Sequence, residues 1–134
     1  MLESTGAIML VFENEISAFI DRVEQTYLLE QRENQERRAV ERIAVTIPAV
    51  VIPMDSKMRQ LDYRIYAITR DISGQGTGLV STDPIDYRHI TLQFSPYRME
   101  MVKFLCRVVY CRPSGRYFQI GCQYVTAPMK NSTP

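Results

Sequence analysis

The chain of 134 residues, 46% hydrophobic and 23% charged, has the composition of one ordinary globular domain around a single core. Its 16 basic and 15 acidic residues nearly cancel, which excludes a broad basic surface tracking long nucleic acid, so any anion site has to be local. Cys106, Cys111 and Cys122 form an odd set without metal-ligand spacing, and no cleavable signal peptide is visible at the amino end, which reads as a reduced, cytoplasmic protein without a metal site.

In chain order, the apolar patch "AIMLVF" (7–12) is far shorter than the ~20 residues of a membrane span, and acids follow it at once. Phe12, Ile16, Phe19 and Val23, spaced 4, 3 and 4 apart, line one face of a helix, and Tyr27 extends the stripe. Without proline or glycine between residues 11 and 37, the pattern predicts a helix reaching about Gln35, in an amino-terminal extension over residues 1–36. The stripe has to be buried, either on the chain's own β-structure or in a bundle between protomers that would make a homo-oligomer.

After Arg42 the pattern turns β: "IAVTIPAVVI" (43–52), "DYRIYAITR" (62–70), "GLVS" (78–81), "HITLQF" (89–94), "MEMVKFLCRVVY" (99–110) and "YFQIGCQYV" (117–125). Strands this short and closely spaced predict a mainly β fold, a closed antiparallel six-stranded barrel over residues 37–126 preceded by the α-helix. Pro48 and Pro53 confine the first segment's pairing to an edge, an end or a bulge. Pro113, Ser114 and Gly115 supply the turn between the last two strands, and residues 127–134 read as a flexible tail.

Two short stretches carry chemistry. In "RRAVER" (37–42), Arg38 and Arg42 lie four apart and emerge on the same side of either a helix or a strand. Guanidinium groups stay charged, fork onto phosphate oxygens and lie flat on rings, which suits an anionic ligand bearing planar bases. A solvated helix end with Arg37 paired to Glu41 accounts for the same residues taken alone. In "DISGQGTGL" (71–79), between two predicted strands, the Asp71 carboxylate suits the N–H donors of a guanine edge and the Ser73 hydroxyl stands beside it. Gly76 and Gly78 allow close approach of a ligand, although a plain turn also uses such residues.

Together, Arg38-Ala39-Val40-Glu41-Arg42 and Asp71-Ile72-Ser73-Gly74-Gln75-Gly76 resemble the two signature motifs of the PilZ domain, and the resemblance runs over residues 37–125, where "GRYFQIGCQYV" looks like the family's last hairpin and strand. The resemblance implies a six-stranded antiparallel barrel that binds cyclic di-GMP, a bacterial second messenger, and acts through a downstream protein partner. It further implies that Arg38 and Arg42 engage phosphates and guanine faces or edges, with Arg37 as a helper, while Asp71 and Ser73 hydrogen-bond a guanine and Gly76 gives the loop its shape. Arg70 and Gln75 flank these positions without an assigned role, and Tyr124 is a candidate for additional stacking surface. No cofactor beyond the ligand is implied.

The competing expectations are a PilZ-like interaction module that no longer binds nucleotide, a barrel for single-stranded nucleic acid, and an enzyme. His89 is the sole histidine, and no Ser/His/Asp or Cys/His arrangement surrounds it in sequence, so no catalytic residue is expected. The arginine motif falls where helix gives way to barrel, which makes that junction the expected moving part on ligand binding.

Overall fold

The computed structural model describes residues 11–27, 42–96 and 100–127. Among the described residues nine elements follow in chain order: β1 (Val11–Phe12), α1 (Glu13–Tyr27), β2 (Pro48–Pro53), β3 (Ile65–Ile72), β4 (Gly76–Ser81), β5 (His89–Phe94), β6 (Val102–Ser114), β7 (Tyr117–Tyr124) and β8 (Thr126–Ala127). Strands β2-β3-β4-β7-β6-β5 close into a barrel in which every neighbouring pair is antiparallel. The six-stranded barrel expected from the β-branched segments is therefore present. Pro48 and Pro53 are the first and last residues of β2, where a missing N–H does least harm.

The element ends differ from expectation in ways that matter for function. Residues 43–47 are not part of β2, although they alternate strictly, with Ile43, Val45 and Ile47 buried and Arg42, Ala44 and Thr46 exposed. They are fastened to β3 instead. Ile43 and Ile72 exchange both backbone hydrogen bonds, at 2.7 and 3.0 Å. The buried Thr69 hydroxyl accepts from the Ile47 N–H at 2.8 Å and donates to the Val45 carbonyl. At this same end β3 continues through Ile72 and β4 begins at Gly76, so Asp71 stands on a strand and the connecting turn shrinks to residues 73–75. The last hairpin turns at Gly115, whose φ of 65° favours glycine, while Pro113 and Ser114 still belong to β6. Thr126 and Ala127 extend past β7 to pair in parallel with Val11 and Phe12.

Helix α1 starts at Glu13, and Glu15 in its first turn complements the helix dipole. Ile16, Phe19 and Val23 are buried in the same cluster as the barrel interior. The Phe19 ring lies 5.0 Å from Phe94 and 5.4 Å from Phe104, and Phe104 lies 5.2 Å from Tyr124. Burying each such side chain is worth about 1.5–3 kcal/mol, enough to seat the helix on its own barrel. Ile16, Phe19 and Val23, the part of the stripe whose side chains are described, are thus covered within the chain, and the side chains of Phe12 and Tyr27 lie outside the described residues.

Tyr124 belongs to this aromatic cluster and not to any ligand surface: it is buried, and its hydroxyl meets that of Thr77 at 2.8 Å. Burial pushes its phenol far above the usual tyrosine range despite that hydrogen bond. The cysteines are free thiols, and burial likewise raises Cys106. Among the described residues, no helix is long and apolar enough to cross a membrane, and no cluster of His, Cys, Asp and Glu could hold a metal ion.

Candidate functional site

The bridge between Ile43 and Ile72 fixes what stands beside it. Arg42 precedes one partner and Asp71 precedes the other, both at outward positions, and Arg42 Nη1 donates to Asp71 Oδ1 at 2.6 Å. The two motif segments, 29 residues apart in sequence, therefore meet through one pair of backbone hydrogen bonds. The Arg42 side chain is 61% exposed, so this ion pair contributes at most about 1 kcal/mol to stability and opens at little cost. Arg37 and Arg38 lie outside the described residues.

Asp71 has a second cation. Its Oδ2 accepts from Arg70 Nε at 3.3 Å, and Arg70 Nη2 reaches on to the Tyr110 hydroxyl at 3.2 Å. The Tyr110 hydrogen bond, and behind it the Asp71 carboxylate, hold the Arg70 guanidinium above its ordinary range against the opposing effect of burial. Beyond Tyr110, the Arg112 guanidinium carbon lies 4.3 Å from the centre of the Tyr110 ring.

Ser73 and Gly76 serve the turn beside this array. The Ser73 hydroxyl is buried and accepts the N–H groups of Gln75 at 3.1 Å and Gly76 at 3.2 Å, while the Ser73 N–H bonds the Gly76 carbonyl at 2.9 Å. The Gln75 carbonyl in turn accepts from the Tyr124 N–H at 3.0 Å, which locks the turn to β7. A Cβ on Gly76 would collide with the Cys122 carbonyl oxygen, so it is the approach of β7 that requires glycine there. Ser73 and Gly76 thus hold the shape of the segment that presents Asp71. Gln75 is exposed at its tip.

Sequence reasoning missed Tyr110 and Arg112 and gave Arg70 no role. The available signal was glycine inside strands, at Gly78 and Gly121, because glycine there weakens a sheet and marks close approach. A Cβ on Gly78 would meet the Arg70 guanidinium, and one on Gly121 would meet the Tyr110 ring. Two strand glycines cost about 0.5–1 kcal/mol each relative to alanine, which offsets the ~0.5–1 kcal/mol of an exposed cation–π pair. Stability alone therefore gives this arrangement no net advantage. His89 is half-buried on β5 opposite Arg107, and its pKa is lowered by burial and then by Arg88 and Arg107, away from the array just described.

Among known families, the model of the PilZ domain matches residues 32–133, most of the chain. No curated protein gives a significant match. With the closed barrel, the helix before it and the family match in agreement, the chain belongs to the PilZ domain family.

Proposed function

We propose that the protein is a cytoplasmic bacterial receptor for cyclic di-GMP and not an enzyme, with residues 37–126 as the binding unit. The observation that carries this is the register set by Ile43 and Ile72, which brings the Arg42 guanidinium against the Asp71 carboxylate. In the receptor, Asp71 accepts the N–H donors of a guanine edge, while Arg38 and Arg42, helped by Arg37, take the phosphates and guanine faces. Ser73 and Gly76 act by holding the turn that presents Asp71. Because the exposed ion pair is weak, Arg42 exchanges the carboxylate for phosphate at small cost. Binding then fixes the arginine segment against the barrel, and a downstream protein reads the change.

Calorimetric titration with cyclic di-GMP, with linear pGpG and GTP as controls, tests the proposal. The expected result is saturable binding selective for the cyclic ligand that weakens as salt rises, since part of the attraction is screened. An absence of binding to the folded protein at low salt would overturn it.

A further inference from the structure

One row of residues crosses four neighbouring strands. Asp71 on β3 stands opposite Gly78 on β4, Gly78 opposite Gly121 on β7, and Gly121 opposite Tyr110 on β6. At ~4.8 Å between strands the row spans roughly 14 Å. Both ends coincide with a break in register, between Thr69 and Asp71 in β3 and between Val108 and Tyr110 in β6. A one-residue bulge of this kind bends a strand and re-aims its side chains, and bulges gather beside functional sites.

The β3 bulge does this visibly. Thr69 and Ile72 are buried while the two consecutive residues between them, Arg70 and Asp71, both remain partly exposed, which strict alternation would forbid. The glycines in the middle of the row leave the wall low enough for Arg70 and Tyr110 to lie along it. Arg112, two residues beyond Tyr110 and therefore on the same face, covers the ring with an exposed guanidinium. The far end of the row from Asp71 is thus a planar, cationic layer backed by an aromatic ring, a surface on which a purine stacks.

We propose that Arg112, backed by Tyr110, is a stacking platform for one guanine ring of the ligand. This rests on the receptor reading above and adds to it the residues that hold a second part of the same molecule. Arg112 is the contacting residue. Tyr110 is a positioning residue that keeps the guanidinium flat.

Titration of the full chain with cyclic di-GMP tests this with five variants, each checked by thermal melting. Arg112→Ala is expected to weaken binding about ten-fold, the scale of one base-stacking contact. Arg112→Lys keeps the charge without the plane and is expected to be as weak as the alanine variant. Tyr110→Leu removes the backing ring and weakens binding, whereas Tyr110→Phe restores it. If Arg112→Lys binds like wild type, or if both Arg112 variants do so while Arg42→Ala loses affinity, the platform is overturned and the receptor reading stands. A wild-type protein that does not bind cyclic di-GMP overturns the receptor reading, and the platform falls with it.

Discussion

Tyr110 and Tyr124 stand on adjacent strands of one hairpin and satisfy their hydroxyls in opposite settings. Tyr124 points inward, packs its ring 5.2 Å from Phe104 and bonds Thr77. Tyr110 lies on the outer wall, bonds Arg70 and carries the Arg112 guanidinium over its ring. The difference teaches that residue type does not decide whether an aromatic ring is filler or surface; the side of the sheet it emerges on does. In this barrel that side is set partly by bulges. Substitutions inside should therefore alter stability, and substitutions on the wall should alter binding.

The largest effect is expected inside. Phe104→Ala removes the ring that touches Phe19, Phe94 and Tyr124, and should cost about 3–5 kcal/mol in urea unfolding. A loss below about 1 kcal/mol would mean that the aromatic cluster does not hold α1 to the barrel. On the wall, Arg42→Ala should weaken cyclic di-GMP binding by about 1.5–3 kcal/mol. Because its ion pair with Asp71 is exposed, the same change should alter folding stability by less than about 1 kcal/mol. A large stability loss with unchanged affinity would reverse the contrast.

A sharper test deletes one hydroxyl on each side. Tyr124→Phe leaves Thr77 without its buried partner and should cost about 1–2 kcal/mol of stability. Tyr110→Phe should cost no more than about 0.5 kcal/mol, as at an ordinary surface position. Equal losses would show that the wall is as cohesive as the core.

The smallest effect concerns pH. His89 has its pKa lowered below the ordinary histidine value of 6.5 by burial, Arg88 and Arg107, so the unfolded chain takes up its proton first as pH falls. Its contribution to stability is complete above 6.5 and is lost as pH falls from there through the folded-state value. Melting curves of His89→Gln should be flatter across that window than those of wild type, and coincident slopes would remove His89 as the cause.

Much of the fold was legible because alternation and turn residues are local signals. The β5 segment was read with its observed ends, and the stripe of Ile16, Phe19 and Val23 was read as a buried face. What covers that face was not legible, since it depends on Phe94 and Phe104 from distant strands. In the site, the nearness of Arg42 and Asp71 was inferable from the paired motifs, but the bridge that enforces it was not. The bulges at Arg70 and Val109 left no trace in composition, because one extra residue in a strand changes neither hydrophobicity nor length enough to notice. They are what turns Arg70 outward beside Asp71 and joins Tyr110 to the same row.

The Thr69 hydroxyl has a consequence for the energetics of recognition. By gripping Val45 and Ile47 it immobilises the backbone just after Arg42 before any ligand arrives. Ordering a loose segment on association would cost about 1–2 kcal/mol per residue in lost conformational entropy. Preorganisation removes that penalty for residues 43–47, so in the proposed receptor Arg42 would meet its ligand from an anchored base and more of its contact energy would survive as affinity.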